Sequence, residues 1–254
     1  MSTKTQNQSD WLSQSPEEFR AQFERQISGD FSMPATKQEP KKKKRKPIRS
    51  FFGWLFLTLG VLTIPFITLI RSSLIFYEQY ELTGWMALLS GAGVTILAFM
   101  IGLLLLFRKV KNKKALWGWT WKGASVMVIG FCLYGLLYIS ESNTKSDSVR
   151  SVYSSLHPIM RVTIATVTLA DQDLIITDIS RTPEDYRKMG LTPRQQSQHY
   201  EQEDGFVHAI DLRTIGQSET RNRLLKLTFD LLGFKTLRHV GTADHLHIAL
   251  PLRK

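Results

Sequence analysis

A chain of 254 residues, 43% hydrophobic and with a net charge of +11, has room for one or two domains. Its charge is uneven: residues 1–139 hold 18 Lys and Arg against 8 Asp and Glu, and residues 140–254 hold 15 against 14. A near-neutral second half excludes nucleic acid as its partner, because phosphate binding needs a concentrated basic surface, and a single cysteine, Cys132, excludes a disulfide framework and a cysteine-based zinc site.

Residues 1–49 read as a cytoplasmic, mostly disordered segment ending in a polybasic run, with SPEEFRAQFERQI as a short amphipathic helix. No short apolar core with a cleavage site stands before the first long apolar run, so no signal peptide is expected. Residues 50–139 read as three transmembrane helices, about 51–70, 85–107 and 117–139. The first two runs are twenty and twenty-three residues without a charge, and a hydrocarbon core of ~30 Å needs about 20 helical residues. The third is led in by the aromatic ALWGWTW, which suits the membrane interface. Pro65 in the first span is tolerated as it is in membrane helices generally.

Two basic runs, KKKKRKPIR at 41–49 and RKVKNKK at 108–114, fall on one side of these spans, while the first loop carries Glu78 and Glu81. The positive-inside rule puts both runs in the cytoplasm and everything after Ile139 outside, so a bacterial cytoplasmic membrane would carry a periplasmic or extracellular domain. Directly against a span, KKKKRK reads as a topology anchor on the lipid bilayer rather than as a nuclear signal. Lys122, near the cytoplasmic end of the third span, can snorkel, so nothing marks a transport path.

A polar linker, 140–150, leads to a domain at 151–254. RVTIATVTLA alternates as a strand would, and DLIITDI is a second short strand. TPEDYRKMG reads as a helix with Thr182 as N-cap, Pro183 at its first position and Gly190 at its end. GFVHAIDL, FKTLRHV and HLHIALP are strands, and SETRNRLLKLTFDLLG is a helix with Leu225, Phe229 and Leu232 on one stripe and Gly233 at its end. The expected fold class is α+β, a small antiparallel sheet with helices, attached to an α-helical membrane region of three spans.

All six histidines (157, 199, 208, 239, 245 and 247) lie in this second half. In the stretch GTADHLHIALP, His245 and His247 are two apart and so share one face of a strand. Two imidazoles and one carboxylate leave zinc's fourth position open, the pattern of catalytic rather than structural sites. LIITDISRTPEDYRKMG, SQHY, HAIDL and GFKTLRHVGTADHLHIALP, in that order, resemble the motif series of the M15 D-Ala-D-Ala metallopeptidases, in the Hedgehog/DD-peptidase fold. The resemblance covers about residues 160–252 and matches Arg181, Ser197 with His199, Ala209 with Asp211, and Asp244 with His247.

The resemblance implies Zn2+ held by His199, Asp211 and His247. It makes Asp244 the general base, Arg181 the group that holds a carbonyl oxygen or a substrate carboxylate, and His245 a supporting or substrate-facing group. In the family the aspartate usually follows the first histidine by seven residues; here His199 and Asp211 are twelve apart, which implies an enlarged loop, YEQEDGFV. His208 is the second choice for the first ligand, since a separation of three from Asp211 turns it to the opposite face of a strand. His157 and His239 read as structural. The expected function is a membrane-anchored zinc peptidase that hydrolyses amide bonds of peptidoglycan stem peptides, as a D,D-carboxypeptidase or an L,D/D,D-endopeptidase. The alternative is a non-catalytic envelope protein that uses the same fold to bind peptidoglycan or a protein partner.

Overall fold

The computed structural model describes residues 15–29, 48–106, 113–190, 192–193, 196–241 and 244–251. The basic stretches 41–47 and 108–112, on which the inside assignment rests, lie outside the described residues. The chain divides into two compact units, residues 1–51 and 52–254. In the first, α1 (Pro16–Gly29) is opened by a reciprocal pair: the Glu18 amide donates to Ser15 Oγ, and the Ser15 amide donates to Glu18 Oε2. Phe19, Phe23 and Ile27 then recur every fourth residue along one exposed stripe.

Three helices are long and apolar enough to cross a membrane: α2 (Ile48–Gln79), α3 (Gly84–Leu106) and α4 (Lys113–Leu137). Pro65 lies inside α2 without ending it. At 32 residues α2 is ~48 Å long, more than a hydrocarbon core needs, and near its end Ser73, Leu74 and Tyr77 are buried in protein. α2 and α3 meet closely where Gly91 faces Ser73; a methyl on Gly91 would collide with the Ser73 hydroxyl and the Leu69 carbonyl.

The expected linker is folded. A 3-10 turn at Glu141–Asn143 and a short helix α5 (Asp147–Ser151) occupy it. Asn143 Nδ2 donates to the carbonyls of Gln172 and Leu174 at 2.9 and 2.8 Å, which ties the segment to the domain.

The expected strand RVTIATVTLA is instead a helix, α6 (Pro158–Ala170), and the reason is burial on several sides. His157 is its N-cap, accepting from the Ile159 amide, and Pro158 occupies the first turn. α6 packs against both α3 and α4, so residues 159–165 are all buried and no polar stripe remains to reveal a helical period. Its threonines satisfy their hydroxyls locally, Thr163 to the Ile159 carbonyl and Thr166 to the Val162 carbonyl. β-branched residues favour strands only where a pleated surface is available to them.

Beyond α6 come β1 (Ile176–Asp178), α7 (Pro183–Lys188), β2 (Ala209–Arg213), α8 (Glu219–Leu232), β3 (Lys235–His239) and β4 (His245–Ala249). The four strands form an antiparallel sheet in the order β1-β2-β4-β3. α7 starts as expected, with Thr182 and Asp185 completing a capping box. Gly233 ends α8 at φ 103°, a left-handed position that suits glycine. Leu225, Phe229 and Leu232 of α8 join Ile210, Leu212, Leu246 and Ile248 in the core, so these strand residues define one face of the sheet. Residues of opposite parity, Asp211, Arg213, His245 and His247, belong to the other face.

Candidate metal centre

Register brings the site together. Asp211 on β2 pairs directly with His247 on β4, and both side chains stand on the sheet face away from α8. The loop before β2 delivers His199, whose backbone carbonyl accepts from the Arg181 amide. His247 Nδ1 lies 2.9 Å from Asp211 Oδ1 and 3.2 Å from His199 Nε2, and His199 Nε2 lies 3.3 Å from Asp211 Oδ1. Ligand atoms ~2.0–2.1 Å from a tetrahedral zinc stand ~3.3 Å from one another, so three atoms at these separations fit one cation.

The surrounding bonds aim the donors. His199 Nδ1 sits 2.8 Å from the Ile179 carbonyl, which can only accept, so Nδ1 carries the hydrogen and Nε2 presents a lone pair to the site. Arg181 holds Asp211 Oδ2 and also donates to Asp178 Oδ2 at 2.6 Å, leaving Asp211 Oδ1 to face the imidazoles. Burial acts to raise the Asp211 pKa. The His199 and His247 rings beside it and the charge of Arg181 outweigh it and hold the carboxyl well below the usual carboxylate range. His199 and Asp211 side chains are 3% and 2% exposed, while His247 is 23% exposed, so the centre opens past His247.

A second group, His157, Asp204 and His208, also clusters donor atoms. Its bonding differs. His208 Nε2 lies 2.9 Å from both Asp204 oxygens, and His157 Nε2 lies 3.9 Å from Asp204 Oδ2. His157 Nδ1 accepts from the Ile159 amide, so the neutral ring carries its hydrogen on Nε2, the atom a metal would need. His208 is thus tied to Asp204 by hydrogen bonds, and His157, with its hydrogen on Nε2, turns no lone pair from that atom toward the group. The tie to Asp204 also keeps His208 away from Asp211, and the structure brings His199 to Asp211 instead.

The remaining site candidates fall in different places. His245 shares the face of His247, with Nε2 3.8 Å from Asp211 Oδ2, and stacks on His239 at 4.6 Å. Asp244 does not join them. Its carboxylate receives Arg238 Nε and Nη2 at 2.7 and 2.9 Å and the Thr214 hydroxyl, on the α8 side of the sheet. Arg238 pairs in register with Leu246, a core-facing residue, which fixes that side. Arg181 is likewise occupied, by Asp178 and Asp211. Sequence reading passed over Asp178 and the Ile179 carbonyl; the Asp three residues before Arg181 in TDISR was the available signal.

No protein-family model, curated protein or solved structure matches the chain.

Proposed function

We propose that this chain is a membrane-anchored, zinc-dependent hydrolase of amide bonds in peptidoglycan stem peptides, set in the bacterial cytoplasmic membrane with its sheet domain on the outer side. The convergence of His199 Nε2, His247 Nδ1 and Asp211 Oδ1, all within 3.3 Å of one another, carries this reading. The resemblance to M15 peptidases supplies the substrate class, and the basic loops supply the orientation. Zinc held there would supply Lewis acidity toward an amide carbonyl and would acidify a coordinated water. His199 and His247 hold the ion, Asp211 adds the negative charge, and Arg181 fixes which Asp211 oxygen faces the ion. His247, 23% exposed, is the member of the trio from whose side an amide would approach.

The alternative, a binding protein without turnover, is favoured by one observation: both charged groups that the resemblance assigns to catalysis, Arg181 and Asp244, are engaged in ion pairs. One experiment separates the readings. The full chain in detergent should hold about one zinc; His247→Ala or His199→Ala should lose most of it, and His208→Ala should keep it. Incubation with muropeptides, followed by mass spectrometry, should then release D-alanine or new amines. A zinc-loaded chain that binds the peptides without cleaving them makes it a binder, and a chain that takes up no zinc ends the hydrolase reading.

A further inference from the structure

The metal centre occupies one rung of the sheet, Asp211, His247 and Leu237, paired across β2, β4 and β3. The next rung is Arg213, His245 and His239. All three are basic or proton-donating side chains, and they share the metal's face because each stands two residues from a member of the first rung. Side-chain contacts agree: His245 Nε2 reaches to 3.8 Å from Asp211 Oδ2, and the His239 and His245 rings stack. Arg213 is exposed, and among the described residues it makes no ion pair or side-chain hydrogen bond. The other arginines placed near the sheet are all engaged: Arg181 with Asp178 and Asp211, Arg238 with Asp244, and Arg221 with Asp171. The carboxylates closest to this face are Asp211 and Asp178, both held by Arg181, while Asp244 turns to the other side.

We infer that the Arg213–His245–His239 rung is an anion subsite that takes a substrate carboxylate one or two residues beyond the amide presented to the metal. Two residues of strand separate the rungs by ~7 Å, and an extended peptide covers about the same distance in two residues. A guanidinium matches a carboxylate in charge and in fork geometry, and the imidazole N–H groups beside it add donors without needing a second fixed charge. The carboxylate could be a chain terminus or an acidic side chain; both present the same chemistry. This inference rests on the hydrolase reading for the position of the amide, but its test does not need turnover.

The test uses the zinc-loaded full chain in detergent and an acetylated D-alanyl-D-alanine peptide whose last amide is N-methylated to block cleavage. Three forms are compared by equilibrium binding: the free acid, its carboxamide, and a carboxamide with D-glutamate as the last residue. The free acid or the glutamate form should bind on the order of 10-fold tighter than the plain carboxamide, with the preference weakening in high salt. Which of the two is preferred identifies the source of the carboxylate. Arg213→Gln should abolish the preference and Arg213→Lys should restore part of it. Lys235→Gln, on the same face but beyond the metal rung on the opposite side, should leave it intact. An Arg213→Gln chain that still prefers the acids, or a wild type that binds all three forms equally or not at all, overturns the subsite. Cleavage of muropeptides without an acid preference would leave the hydrolase standing and remove only the subsite; an acid preference without cleavage would do the reverse.

Discussion

Asp244 shows what one side chain's orientation decides. The Arg238 guanidinium and the Thr214 hydroxyl, stronger together than the opposing burial, pull its carboxyl down to about 2. A carboxylate with a depressed pKa contributes stability above its unfolded value of ~4, and that contribution is lost as pH falls through the folded value. Between about pH 4 and 2 the wild type should therefore lose more melting temperature than Asp244→Asn, which has no charge to lose. Parallel curves would mean that the pair does not stabilise the folded chain. Zinc content should be unchanged in Asp244→Asn, because the side chain stands on the α8 face. The parity of strand residues made His199 rather than His208 the expected partner of Asp211. The same parity, carried to Asp244 and His247, also three apart, would have turned Asp244 away from the metal. The motif resemblance outweighed it there. The role of Ile179 as acceptor for His199 was not legible, because a backbone carbonyl leaves no mark in the sequence.

At the level of elements, α8 was legible from end to end: Ser218 caps it, Gly233 closes it, and the Leu225, Phe229 and Leu232 stripe faces the sheet. An amphipathic helix half in water writes its period into the sequence. α6 does not, because α3, α4 and the domain core surround it and residues 158–165 are all buried, Arg161 and Thr163 included. With Thr and Val supplying an accidental alternation, strand was the natural reading. Phe229, 1% exposed, gives a direct check on the α8 seat. Phe229→Ala should cost about 3–5 kcal/mol in a denaturant titration of the full chain, as large aromatic truncations in packed cores do. A loss under ~1 kcal/mol would mean that the helix is not seated on the sheet as described.

For the molecule as a whole, the three long apolar helices and the sheet domain share one core. Arg161 Nη1 donates to the Leu136 carbonyl at 2.8 Å, closing the end of α4, and its guanidinium lies 5.6 Å over the Trp85 ring. The Tyr153 hydroxyl reaches the Gly135 carbonyl at 2.9 Å, and the His157 ring packs at 4.9 Å on Tyr77. A methyl on Gly84 would collide with that ring. From sequence the boundary looked like a polar tether, because Ser, Asn and Asp serve equally as linker residues and as hydrogen-bonding ties. The two cases separate in one experiment. A fragment from Ser140 to Lys254 would expose Val162 and Ala165, which lie against Gly135 of α4. It should aggregate or melt well below the full chain in detergent, through loss of buried apolar area. A soluble fragment with the melting temperature of the full chain would show that the shared core contributes nothing.

Under the proposed function, the Arg161, Tyr153 and His157 ties would also set where a substrate is met. A catalytic head on a flexible leash samples a sphere whose radius grows with the leash, and its encounter rate depends on that volume. Tied to the three apolar helices, this domain has no leash: under the proposed function, the part-exposed His247 would stay at one height above the bilayer that those helices would cross. The proposed peptidoglycan substrate would then be engaged only within that thin shell, reached by its own motion or by delivery.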